Sequence, residues 1–292
     1  MNHPAELKVH QYLSNVRHGD STLSPEIVEQ IVEDIRAALT RQFVDKLDKG
    51  FTLRMSNVGR AYCQLWFDKN EPHKAIPHST SFIMNMMIGD IIEAIFKGLL
   101  KQAGVAYSDG SKVTLDLGEY KIHGTPDIVM DGKVDDVKSA SPWSYENKFK
   151  SFQTLADGDS FGYLAQLAGY AKAMGIEAGG WWVVNKATGQ FKYVPADGLN
   201  VDVYAENIKA IAAELEENVF RRCYEAEEET YYNKPTGNKI LSKECQWCSY
   251  RYACWDTLEE RPSLVSRAEN PPTVSYVFIK KKESKDESKD NT

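Results

Sequence analysis

The chain has 292 residues, and its 35 basic and 42 acidic side chains give a formal net charge of −7. An acidic chain lacks the overall basic surface that many nucleic-acid-binding proteins carry, although it remains compatible with a local basic channel. The sequence contains no run of about 20 apolar residues and no leader pattern, so we expect no membrane span and a cytoplasmic location.

Hydrophobic periodicity predicts a mixture of helices and strands. In chain order, it predicts helices over 20–48, 80–103, 159–174 and 200–229, and strands over 113–117, 121–130, 133–139, 180–185 and 190–194. The dipeptide Asp131-Gly132 is typical of a tight hairpin turn. This order predicts a mixed α/β or α+β fold, with a core sheet flanked by helices.

Composition divides the chain into four predicted segments. They are an N-terminal helical segment over 1–79, a central core over 80–200, a helix with a cysteine-rich stretch over 201–265, and a tail over 266–292. The tail ends in the charged run KKKESKDESKDNT, which cannot bury enough apolar surface to fold. We therefore expect the tail to be disordered.

Carboxylates cluster around the predicted hairpin. Pairing across Asp131-Gly132 places Asp127 near Asp136, and Lys138 shares a strand face with Asp136, whereas Asp135 points the other way. Clustered carboxylates repel one another unless a cation joins them, and oxygen ligands suit Mg²⁺ or Mn²⁺. A metal here would activate a water molecule to attack a phosphodiester, and a lysine would orient that water. The alternative is a solvated ion pair.

A third acidic ligand is expected from the helix over 80–103. Glu93 lies four residues after Gly89 on this helix and is the first choice, and Asp90 is the alternative.

Together these residues resemble the PD-(D/E)XK nuclease superfamily, and specifically its RecB-like branch. The matching motifs, in order, are Gly89 to Glu93, Gly124 to Asp127, Asp136 to Lys138, and Gln166 to Tyr170. The resemblance implies a restriction-endonuclease-like core over 80–200, with Glu93, Asp127, Asp136 and the main chain of Val137 as metal ligands. It also implies that Lys138 positions water and that Gln166 and Tyr170 align the substrate. Many members have a histidine where this chain has Glu93.

A second constellation is formed by cysteines. Cys245, Cys248 and Cys254 lie close together, and Cys63 lies far upstream. In a reducing compartment such thiols favour metal ligation or burial over disulfides. The pattern resembles the CRISPR-associated RecB-like exonucleases and the AddB nuclease domain, which implies a 4Fe–4S cluster joining the N- and C-terminal segments. A zinc site is the alternative, and Cys223 is interpreted as a buried or incidental thiol in a helix.

The resemblance implies a metal-dependent deoxyribonuclease, favouring exonuclease action on single-stranded DNA or duplex ends. Such an enzyme would process DNA in recombination, repair, phage replication or CRISPR systems of a bacterial, archaeal or phage-infected cell, with a protein partner in a recombination or CRISPR complex. The alternatives are an endonuclease of the same fold and a noncatalytic DNA-binding subunit. The aromatic and basic segment Trp143 to Lys150, which follows the Asp-x-Lys strand, is either a guide for DNA or a solvated loop.

Overall fold

The computed structural model describes residues 3–45 and 50–280. The α-helices there are α1 (Pro4–His18), α2 (Pro25–Leu39), α3 (Tyr62–Asn70), α4 (Thr80–Gln102), α5 (Pro142–Glu146), α6 (Phe152–Asp157), α7 (Tyr163–Met174), α8 (Val201–Glu217) and α9 (Arg251–Cys254). The strands are β1 (Ser108–Asp109), β2 (Val113–Asp116), β3 (Lys121–Gly124), β4 (Ile128–Met130), β5 (Lys133–Ala140), β6 (Glu177–Asn185), β7 (Phe191–Pro195), β8 (Glu227–Tyr231), β9 (Lys234–Ile240), β10 (Glu259–Pro262) and β11 (Thr273–Phe278). The predicted mixed α+β class is confirmed.

The described residues form two compact units. The first contains the residues up to Ala61 together with His78–Val219, and the second contains Tyr62–Pro77 together with the residues from Phe220 onward. These units cut across the predicted segments 1–79 and 201–265, because the chain leaves the first unit at Tyr62, returns at His78 and leaves again at Phe220.

A five-stranded sheet, in the order β1-β4-β5-β6-β7, forms the centre of the first unit. Its middle strands β5 and β6 are parallel, and the other neighbours are antiparallel. Alternate residues of β6 supply two cores: Trp181 and Val183 pack with residues of α7 and α8, whereas Trp182 and Val184 pack with residues of α1 and α4. This alternation produces a sheet with helices on both faces.

The predicted strand over 121–130 is two strands in the structure. β3 pairs with β2 in a separate two-stranded sheet, and β4 pairs with β5 in the central sheet. Pro126 lies between them and has no N–H to donate to a ladder, which explains the interruption. The hairpin turn at Asp131-Gly132 is confirmed, since both residues have positive φ angles, 51° and 75°.

The second unit contains a four-stranded antiparallel sheet, in the order β10-β11-β9-β8. Buried Glu229 accepts hydrogen bonds from Thr236, Asn238 and Tyr276, at 2.9, 2.7 and 2.6 Å. These bonds satisfy a carboxylate that would otherwise be costly to bury.

Two sequence predictions are wrong in this unit. The predicted helix over 200–229 ends at Glu217, because Asn218 adopts a left-handed cap, and Glu227–Tyr231 is a strand whose Glu229 points inward. The predicted disordered tail contains a strand, Thr273–Phe278, which is anchored by fully buried Tyr276. The charged run from residue 281 to the end lies outside the described residues. The described residues also contain no helix that is both long and apolar enough to cross a membrane.

Acidification is expected to weaken the attachment of α1 through His3. The His3 ring accepts the Ala5 N–H at the start of α1 and lies 5.2 Å from the Trp182 ring, centre to centre. Burial lowers the pKa of His3, against the opposing charges of Asp131 and Glu6. The unfolded chain therefore binds more protons, so the stabilisation is complete above the unfolded pKa of about 6.5 and is lost as pH falls below it.

Urea unfolding at pH 7.5 and pH 5.5 measures this effect. His3→Asn, which can still cap the helix, is expected to show a smaller loss on acidification than the wild type. His18→Asn, at the other end of α1, is the control. An equal loss in wild type and His3→Asn contradicts the prediction.

Candidate functional site

Three predicted acidic residues lie together at the β4–β5 hairpin. Ile128 pairs with Asp135, so Asp127 falls beside Asp136, and the two charges act on Glu93 of α4. Burial and the neighbouring charge of Asp127 raise the pKa of Glu93 to about 8. The hairpin thus brings the two predicted carboxylates close, and α4 adds the third.

Asp136 is the most constrained of the three. Its side chain is 2% exposed, and neither carboxylate oxygen receives an aligned hydrogen bond. Burial raises the pKa of Asp136 to about 7, against the opposing charge of Lys138. A buried carboxylate in this state favours either protonation or a bound cation.

The carboxylates do not converge on one point as they are placed. Within residues 3–45 and 50–280, no three His, Cys, Asp or Glu side chains form a group that could hold a metal ion. Asp136 is turned towards Lys138, and Asp127 Oδ2 accepts the Val137 N–H at 2.8 Å. Binding a cation therefore requires these carboxylates to exchange their present partners.

Lys138 is held as a cation. Its Nζ lies 2.5 Å from Asp136 Oδ2 and donates to Gln166 Oε1 at 3.3 Å. Burial alone would lower the pKa of Lys138, but the charges of Asp136 and Asp127 raise it above its ordinary value. Lys138 therefore suits electrostatic stabilisation and the orientation of water, and it does not suit the role of a base.

The structure gives Gln166 and Tyr170 defined partners. Both lie on α7, one turn apart, and Gln166 accepts from Lys138. Tyr170 is buried, and its hydroxyl donates to the Thr125 carbonyl at 2.9 Å. Tyr170 thus braces the segment that leads into Asp127.

Two glycines of the sequence motifs lie where neighbouring atoms leave little room for a side chain. A Cβ at Gly124 would lie 2.6 Å from Met55 Cβ and 2.8 Å from the Tyr170 ring, so no larger residue fits. A Cβ at Gly89 would lie 3.3 Å from Ser139 Oγ, which shows how closely α4 approaches β5. Close packing at these glycines lets Glu93 and Asp127 approach one hairpin.

Two acidic neighbours are engaged elsewhere. Asp90 Oδ2 accepts from Arg41 and Gln42, at 2.9 and 2.6 Å, so Glu93 is the better placed of the two alternatives. Asp135 points to the opposite face, as predicted from strand alternation, and accepts from the Tyr193 hydroxyl at 2.8 Å.

All five cysteines lie in the second unit. Cys245 packs in a small core with Leu241 and Trp255, and Cys248 packs in another with Phe67 and Tyr250. Burial raises the pKa of the Cys245, Cys248 and Cys254 thiols. Free thiolates are therefore disfavoured here, and metal ligation would have to deprotonate these groups.

The prediction that Cys223 lies in a helix is wrong. Cys223 lies after α8 has ended, and its Sγ accepts the Cys63 N–H at 3.1 Å. A side-chain hydrogen bond to Cys223 and then burial, which both favour the neutral thiol, raise the pKa of Cys63. Sequence spacing carried no signal for this pairing, because the two residues are 160 positions apart.

Comparisons with known proteins leave the family unassigned. No family model matches the chain. No curated protein matches it either. Among solved structures, the chain is similar to the crystal structure of SSO0001, with a TM-score of 0.40 and 12% identity, and the match covers 80% of this chain and 96% of that chain. A similarity this low carries no argument about fold or function.

Proposed function

We propose that this protein is a divalent-metal-dependent DNA nuclease with a restriction-endonuclease-like core of the PD-(D/E)XK type, RecB-like branch. The observation that carries the proposal is the buried Asp136 carboxylate, which pairs with Lys138, has no aligned hydrogen bond and interacts electrostatically with Asp127 and Glu93. Lys138 pairs with Asp136, but burying several carboxylates close together is unfavourable, and a bound cation would reduce that cost.

Mg²⁺ or Mn²⁺ fits this set of donors, because both metals prefer carboxylate and carbonyl oxygens. The side chains of Glu93, Asp127 and Asp136 would hold it, with the main-chain carbonyl of Val137. A bound metal would stabilise negative charge on the phosphodiester and lower the pKa of water.

The chain's own residues supply the rest. Lys138, kept positive by its neighbours, would orient the attacking water and offset developing charge. Gln166 holds the Lys138 ammonium, and Tyr170 holds the backbone before Asp127, so both act as positioning residues. A noncatalytic DNA-binding subunit is the weaker alternative, since it would have no need of this buried, costly group.

We also propose a 4Fe–4S cluster in the second unit, held by Cys63, Cys245, Cys248 and Cys254. Its support is the donor set: five half-buried or buried thiols lie in one compact unit, and Arg222 supplies a positive charge near Cys254. A cluster spreads its four thiolates over separate iron corners, whereas a single ion would need them around one point. The cluster is structural in this proposal.

Metal-dependent cleavage of labelled DNA tests the function. Single- and double-stranded DNA, labelled at either end, is incubated with Mg²⁺, Mn²⁺ or EDTA. We expect cleavage only with metal, and a loss of about 10²–10³-fold in Lys138→Ala. Circular DNA separates exonuclease from endonuclease action, and the labelled end gives polarity. Absence of cleavage with either metal, or full activity in Lys138→Ala, contradicts the proposal.

A further inference from the structure

A stack of aromatic rings leads from the core of the first unit to its surface. Buried Phe149 stacks on Tyr163 with 5.7 Å between ring centres, and Tyr163 stacks on Phe161 at 5.6 Å with an angle of 13° between the planes. Phe161, the outermost ring, is 60% exposed. The inner rings therefore fix the orientation of an aromatic face that meets solvent.

Two lysines lie against this stack. Lys148 Nζ lies 4.7 Å from the Phe161 ring centre and 4.8 Å from that of Tyr163. Lys138 Nζ lies 5.2 Å from the same Tyr163 ring. The exposed face is therefore adjacent to the proposed catalytic lysine, with one ring between them.

The charge of Lys148 is not neutralised by a salt bridge. In the described parts of the chain, Lys148 forms no salt bridge, although the charge of Asp159 acts on it, and the Phe161 and Tyr163 ring faces lie against its Nζ. An ammonium held by cation–π contacts keeps its charge available to a phosphate. Its position thus offers an anion contact beside an exposed ring.

The loop that carries Phe161 is braced. The Asp159 carboxylate accepts the N–H groups of Gly162, Tyr163 and Leu164, at 2.9 to 3.0 Å. Gly162 has a φ of +80° and lies so close to Gly59 that a side chain on either would overlap the other's backbone. Single exposed apolar residues are common, but this ring is preorganised beside a site.

We propose that Phe161 and Lys148 form a subsite for the nucleotide next to the cleaved phosphate, with Phe161 stacking on its base and Lys148 contacting its phosphate. Stacking of this kind tolerates any sequence, since every base has an aromatic face. An unpaired base offers its faces to such a ring, whereas a paired base offers one only at a duplex end, so the subsite favours single strands. The inference rests on the proposed function for the position of the cleaved phosphate.

Binding of DNA in EDTA, where metal-dependent cleavage is blocked, tests the subsite. The probe is a short single-stranded oligonucleotide that carries 2-aminopurine at successive positions, with a blunt hairpin duplex as a second ligand. In Phe161→Ala, we expect the Kd for the single strand to rise at least about 5-fold, equivalent to about 1 kcal/mol, and the position-specific quenching of 2-aminopurine to be lost. Duplex binding should change less.

Matched variants separate stacking from folding. Phe161→Trp is expected to keep both affinity and quenching, and Phe43→Ala, which removes another exposed phenyl ring of the first unit, should behave as wild type. Lys148→Gln should make the plot of log binding constant against log salt concentration less steep, by the amount expected for the loss of about one phosphate contact.

The outcomes are distinguishable from failure of the function itself. If the protein binds single strands through Phe161 but never cleaves them, the subsite proposal stands and the nuclease proposal is contradicted. The subsite proposal is overturned if the wild type binds no single strand at low salt, or if Phe161→Ala binds and quenches like the wild type.

Discussion

Asp136→Asn is expected to reduce metal-dependent DNA cleavage by about 10²–10³-fold or more. The amide removes the negative charge that pairs with Lys138, and it removes a ligand oxygen of the proposed metal. Near pH 8 the wild-type carboxyl is largely ionised in the fold, since its pKa is about 7.

Asp135→Asn is the matched control for this experiment. Asp135 is the neighbouring residue on β5 and is also buried, but it points to the opposite face and binds the Tyr193 hydroxyl. We expect this variant to retain the wild-type rate of DNA cleavage. The melting curve and the cleavage rate are measured on the same samples. Equal loss of activity in both variants, or full activity in Asp136→Asn, contradicts the assignment of the site.

Cys248→Ser is expected to remove iron and the brown, broad visible absorbance from anaerobically purified protein, and to loosen the second unit. Cys248 packs with Phe67 and Tyr250, and Cys245 packs with Leu241 and Trp255, so a cluster would fasten two small cores. Metal sites of this kind contribute directly to folding. Iron and sulfide analysis measures the cluster, and limited proteolysis of residues after Phe220 measures the loosening.

Cys223→Ser is the control, because Cys223 is the fifth thiol and contacts Cys63. It should retain iron, whereas Cys63→Ser should lose it. Retention of iron by Cys63→Ser and its loss from Cys223→Ser would reverse the roles of these two residues. Stoichiometric zinc without iron in the wild type would disprove the cluster.

Local sequence patterns were sufficient to predict the hairpin that carries the candidate site. Strand alternation placed Asp136 and Lys138 on one face and Asp135 on the other, and the Asp131-Gly132 turn set the register that brings Asp127 to Asp136. These features depend on neighbours along the chain. The same reasoning left Glu93 and Asp90 as alternatives, because both lie on α4 and only contacts with other elements distinguish them.

Local patterns failed where distant segments decide the structure. The acid-rich stretch after Glu217 has helical propensity, yet Glu227–Tyr231 is a strand because Tyr276 and Asn238 bind Glu229. Likewise Thr273–Phe278, a lone apolar patch in the sequence, becomes ordered between β9 and β10. Tertiary hydrogen bonds and burial outweigh propensities of a few tenths of a kcal/mol per residue.

The sequence by itself determined the mixed α+β class, the helices α4 and α7, the β4–β5 hairpin and the pairing of Asp136 with Lys138, since periodicity and turn chemistry act over a few residues. Only the tertiary structure decided that Cys63 meets Cys223, that Asp90 turns to Arg41, and that Phe161 stands on a braced ring stack beside Lys138. Each of these arrangements joins segments far apart in the chain, where packing and electrostatics select the contact.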